Sequence, residues 1–118
     1  MSNNHANEII EQGYTIIPDI LDASLLTAAR TALQQVFDDE REMAKAKNWQ
    51  NNINQVSYLL PQKHEIFRSL GLNPRLLPIV QEILGNNCNL SNVNGLTMIP
   101  GGQTQNLHMD AFESTPST

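Results

Sequence analysis

The chain has 118 residues, enough for one domain with a single core, and its 40% hydrophobic and 16% charged residues exclude a disordered polyelectrolyte. A net charge of −5, with seven basic residues scattered apart from Lys45 and Lys47, leaves no electrostatic footprint for nucleic acid. No apolar run approaches the roughly 20 residues that a membrane span needs, so neither nucleic acid nor membrane is an expected partner.

The N-terminus, Met1-Ser2-Asn3-Asn4-His5, is polar and lacks the charged and apolar regions of a signal peptide. The single cysteine, Cys88, excludes an internal disulfide and suits a reducing compartment, so a cytoplasmic location is expected. Asn89-Leu90-Ser91 matches a glycosylation acceptor that such a location leaves unused.

In chain order, residues 4 to 12 can form a short helix closed by Gly13 as a left-handed residue. His5 is expected to be solvent-exposed near a fraying terminus. Tyr14 to Ile17 is aromatic and β-branched, which predicts a short strand ended by Pro18. Asp22 is a good N-cap for the next helix, where Leu26, Ala29, Leu33, Val36 and Phe37 form an apolar stripe suited to packing on a sheet. The charged but helix-forming run Asp38 to Glu42 extends this helix through Lys47 as a solvated face.

Asn48 to Gln55 is polar, with Trp49 its one large apolar residue, and reads as a loop that is a connector or a lid. Pro61 to Leu70 and Pro74 to Leu84 are predicted helices with Gly71 and Gly85 as stops. His64 begins the first of these, a surface or capping position. Asn86 to Ile99 alternates imperfectly and predicts the first long strand of the main sheet. Pro100-Gly101-Gly102 reverses the chain, and Gln103 to Phe112 is the returning strand. Helices first and strands last make an α+β protein whose helices brace one face of a sheet.

On that returning strand, Leu107-His108-Met109-Asp110 places an imidazole and a carboxylate at i and i+2, on one face of extended backbone. These are two ligands of a 2-His-1-carboxylate facial triad, the set that leaves open positions on non-heme Fe(II) for oxygen chemistry. Neutral His108 would bind through a ring nitrogen and ionised Asp110 through oxygen. No His lies between Met109 and Thr118 to serve as the third ligand.

A His-x-Asp pair recurs by chance, and its context gives it weight. Glu11-Gln12-Gly13-Tyr14-Thr15-Ile16-Ile17-Pro18, the helices from Leu21 to Phe37, His64 to Leu70 and Pro74 to Gly85, and the closing Pro100-Gly101-Gly102…Leu107-His108-Met109-Asp110 follow in order. Over about residues 8 to 112 this series resembles the N-terminal half of the phytanoyl-CoA dioxygenase family. The most specific stretches are Gly13 to Leu21 and Pro100 to Asp110.

The resemblance implies a partial double-stranded β-helix, a cupin-like jelly roll, in a single incomplete domain spanning 1–118. Residues 1–85 would be the mainly helical brace with one short strand, 86–112 the first main-sheet strands with the His-x-Asp pair, and 113–118 a polar tail. It implies Fe(II) held by His108, Asp110 and a later His, with 2-oxoglutarate as cosubstrate and a small organic molecule as substrate. No catalytic residue beyond the metal ligands is expected. Gln105, three before the metal His, and Asn94 on the preceding strand are candidates for hydrogen bonds to 2-oxoglutarate; both also read as ordinary polar strand residues. The family's basic anchor for the distal carboxylate follows the second His, so neither is expected within the chain. On this reading the chain alone is inactive, and a homodimer would cover the open sheet edge. The alternative is a non-catalytic binding or assembly module derived from the same fold.

Overall fold

A computed structural model describes residues 4–47, 53–98, 100, 101 and 104–108. Helix α1 (Asn4–Gln12) ends where the sequence predicts, at Gly13 with φ 88°, whose N–H donates to the Ile9 carbonyl at 2.9 Å. His5 is not solvent-exposed as expected. It is half-buried, with Nδ1 2.8 Å from Thr15 Oγ1, and the Thr15 hydroxyl donates to the Glu8 carboxylate.

That link folds residues 14–17 back along α1, and they do not form the expected strand. Their composition favours extended backbone, but a strand needs a row of partner amides, and none pairs with them among the described residues. The chain then passes through Asp19 at φ 52°. The Arg75 guanidinium donates to the Asp19 and Pro18 carbonyls, and Asn73 Nδ2 donates to the Ile20 carbonyl at 3.4 Å. Asn73 is buried, and its Oδ1 accepts from the Arg75 N–H at 2.9 Å, so one pair of side chains anchors this bend.

Helix α2 (Ala23–Asp39) starts at the predicted cap, Asp22, whose carboxylate accepts the Leu25 N–H at 2.7 Å. Ala29, Ala32, Val36 and Phe37 are buried, whereas Leu26, assigned to the same stripe by periodicity, is exposed on the first turn. The helix does not continue through Lys47. It breaks at Glu40 (φ −94°, ψ 1°), and a separate short helix, α3 (Arg41–Lys45), follows. Glu40 pairs with Lys63, which also donates to the fully buried Ser57 hydroxyl at 2.9 Å.

Of the stretch expected to be a loop, residues 48–52 lie outside the described residues. Ile53 to Gln55 instead open strand β1 (Ile53–Ser57), antiparallel to β2 (Gly95–Met98). The register pairs Ile53 with Met98, Gln55 with Thr97, Val56 with Leu96 and Ser57 with Gly95, so Asn54 is a bulge. The predicted strand from Asn86 is thereby shortened to four residues. Polar side chains upstream bond locally and compete with a ladder; Asn92 Oδ1, for example, accepts the Val93 N–H at 2.8 Å.

The single helix expected from Pro61 to Leu70 is two, α4 (Leu60–Lys63) and α5 (Glu65–Gly71), parted by His64 in extended conformation. Helix α6 (Leu77–Leu84) follows a turn at 74–76 and closes at Gly85, φ 89°. Ala32, Val36, Leu60 and Phe67 form the core, with Leu33, Ile66, Leu70 and Val93 packed around them. Full burial of Leu60 and Phe67 contributes about 1.5–3 kcal/mol each. The result is a mixed α+β fold of six helices and a two-stranded antiparallel sheet among the described residues. No described helix is long and apolar enough to cross a membrane.

Helix α2 packs on the sheet face that carries Ser57 and Gly95, while on the opposite face Val56, paired with Leu96, is buried beside Met43 and Ala44 of α3. A Cβ built on Gly95 would lie 2.7 Å from Leu33 and 3.3 Å from Phe37, so α2 sits directly on this strand. Leu96 and Met98 alternate with these positions on the opposite face and remain about half exposed, 50% and 47%.

Candidate metal centre

The candidate ligands come after β2. Pro100 and Gly101 form the predicted reversal, Gly101 taking the φ of 73° that such a turn requires. Residues 104–108 leave it as irregular backbone, not as the expected returning strand, and residues 103 and 109–112 lie outside the described residues. A strand is held by its partner, and segment 104–108 has no ladder partner among the described residues.

Within this segment His108 is exposed, and its Nδ1 lies 2.7 Å from the Asn106 carbonyl oxygen. A carbonyl only accepts, so Nδ1 carries the proton and the ring's lone pair belongs to Nε2. This is the arrangement that fixes the ring of a metal-binding histidine, where one nitrogen donates to a backbone carbonyl and the other faces the ion. Asp110, the proposed partner ligand, lies outside the described residues.

Gln105 is exposed three residues before His108. Asn94 is also exposed, just before β2, and its Oδ1 accepts the Leu59 backbone N–H at 3.3 Å. Leu59 is left-handed, φ 57° and ψ 40°, and the next residue, Leu60, donates its N–H to the Val93 carbonyl at 3.0 Å. Asn94 thus extends the β1–β2 pairing beyond the strands, and its Nδ2 is the group it can offer a cosubstrate.

The other two histidines have structural roles. His64 accepts the Ile66 N–H on Nδ1 at 3.1 Å, capping α5 as the sequence suggests, and meets Phe67 edge to face at 6.1 Å. His5 bridges α1 to Thr15. No group of three or more His, Cys, Asp or Glu side chains is gathered among the described residues.

Sequence reasoning missed a cleft of about 260 Å³ between the 59–72 region and residues 90–92, with Arg68 in its wall. Its walls are 18 or more residues apart in sequence, and no motif spans that separation. No family model matches the chain, and no solved structure matches it.

Proposed function

We propose that the chain is the N-terminal part of a non-heme Fe(II)/2-oxoglutarate-dependent dioxygenase of the phytanoyl-CoA dioxygenase type, hydroxylating a small organic substrate. The observation that carries this reading is the hydrogen bond from His108 Nδ1 to the Asn106 carbonyl, which puts the lone pair on Nε2 two residues before a carboxylate. The sheet adds support. Helix α2 braces one face, while on the other Val56 of β1 is buried beside α3 and Leu96 and Met98 of β2 stand half-exposed, as part of the inner face of an unfinished jelly roll would.

An imidazole nitrogen and a carboxylate oxygen form a donor set that suits Fe(II). Iron and 2-oxoglutarate together supply the oxidising power, coupling decarboxylation of the cosubstrate to hydroxylation of the substrate. His108 binds through Nε2, with its ring orientation held by Asn106. Asp110 binds as the ionised carboxylate and His108 as the neutral imidazole. Gln105 and the Asn94 amide offer hydrogen bonds to the cosubstrate. The second His and a basic anchor for the distal carboxylate would come from sequence outside residues 1–118. A cytoplasmic location accords with the single thiol of Cys88.

The test is 2-oxoglutarate-dependent succinate formation. The 118-residue chain is expected to form none. The protein read from the full coding frame is expected to form succinate, and to lose that activity in His108→Ala and Asp110→Ala. Turnover that survives both substitutions would overturn the assignment, and the non-catalytic module would then be the better account.

A further inference from the structure

We propose that the Arg68 cleft is a binding site for a small aliphatic carboxylate, separate from the candidate metal centre. Leu59, Leu72 and Leu90 line it, each more than 40% exposed. Three half-exposed leucines around one cavity of about 260 Å³ make a wall that water solvates poorly and an alkyl chain would cover. The volume is just under the lower end, about 300 Å³, of ordinary small-molecule sites, which favours a short ligand over a nucleotide or coenzyme.

The polar part of the cleft selects the other end of the ligand. Arg68 is the one charged residue in the wall, and among the described residues its guanidinium has no ion-pair or hydrogen-bond partner. That contrasts with Arg41 and Arg75, which are engaged by Asp38 and by the carbonyls of Pro18 and Asp19. Asn92 spends its Oδ1 on the Val93 N–H, so its amide offers Nδ2 to the cleft, and Ser91 adds a hydroxyl. With the Gln62 amide they give the cleft one cation and no carboxylate, in a chain of net charge −5. A cationic ligand would meet the Arg68 charge with no carboxylate to pair with. A planar carboxylate can take two parallel N–H bonds from the guanidinium fork while its chain lies on the leucines.

The site takes none of its residues from the metal centre, so each can fail without the other. The experiment is an NMR titration of the 118-residue protein with hexanoate, hexanol and hexyl phosphate. Saturable binding of hexanoate is expected, with shifts centred on the Leu72 and Leu90 methyls. Hexanol should bind about tenfold more weakly or worse, as loss of a charged hydrogen bond requires. Arg68→Gln should weaken hexanoate by a similar factor, and Arg68→Lys, which keeps the charge without the fork, by less. The methyl map of the unsubstituted protein keeps the test valid even if a variant folds poorly. Hexanoate shifts located elsewhere, equal binding of hexanol, or preference for hexyl phosphate would each overturn the proposal.

Discussion

Asn94 Oδ1 accepts the backbone N–H of Leu59 at 3.3 Å, across 35 residues of sequence, at a point where Leu59 holds a left-handed backbone. A non-glycine residue keeps such a conformation only where its surroundings fix it, at a cost of about 1–2 kcal/mol. Asn94→Ala should therefore destabilise the fold by about 1 kcal/mol in urea melts. Asn94→Asp keeps the acceptor and should retain most of that stability, while removing the Nδ2 donor proposed for 2-oxoglutarate. A stable Asn94→Asp protein whose completed enzyme keeps its normal apparent affinity for 2-oxoglutarate would remove Asn94 from the cosubstrate site.

Gly95 lies under α2, where a methyl group would meet Leu33 at 2.7 Å. Gly95→Ala is expected to destabilise by about 1–3 kcal/mol through overpacking. Leu33→Ala in the same chain should recover part of the loss, because it removes the clashing atom. Chemical denaturation of both variants, analysed as a double-mutant cycle, measures the coupling.

Glu40 gives the fold an acid limit. Burial pushes its carboxyl up, but hydrogen bonds from Lys63 and Ser57 and the charges of Lys63 and Lys47 outweigh this and leave it below its ordinary value of 4.5. A carboxylate whose pKa is depressed in the folded state contributes stability that is fully present above its unfolded pKa and lost as pH falls through its folded pKa. Stability should thus hold above pH 4.5 as far as this group is concerned and decline below it. Glu40→Gln should flatten that decline, measured as unfolding free energy against pH.

The two-stranded sheet with Leu96 and Met98 half-exposed is marginal as a free-standing unit. The 118-residue chain is expected to self-associate at micromolar concentration through the region 86–112, most simply about a two-fold axis. Sedimentation should show a dimer that Leu96→Lys shifts toward monomer. A cooperatively melting monomer at that concentration would refute this.

Local chemistry was legible where a short segment decides its own structure. Asp22 as a cap, Gly13 as a left-handed residue, Gly85 as a helix stop, Gly101 in a chain reversal, and His64 at a helix start could all be read from neighbouring residues alone. What the sequence left hidden depends on distant partners. Ile53 to Gln55 read as loop because Asn-rich surroundings mask a strand that exists only through pairing with Thr97 and Met98. Tyr14 to Ile17 read as strand because β-branching signals extended backbone without revealing whether a partner edge is present. Glu40 interrupts a strongly helix-forming run because Lys63, 23 residues away, holds its side chain. At the candidate metal centre, spacing singled out His108 and Asp110, but the His108 tautomer is set by the Asn106 carbonyl, which no residue pattern encodes. Arg68 was overlooked because nothing near it in sequence marks the cleft it lines.

The most direct test of the metal assignment is paramagnetic line broadening by Mn(II), a stand-in for Fe(II), mapped residue by residue on the 118-residue protein. Two protein ligands without a third should bind weakly. The expected result is broadening centred on His108 and Asp110 that saturates only with metal in large excess and disappears in His108→Ala. Broadening centred on His5 and Glu8 or on His64, or broadening at the same place and strength in His108→Ala, would contradict it.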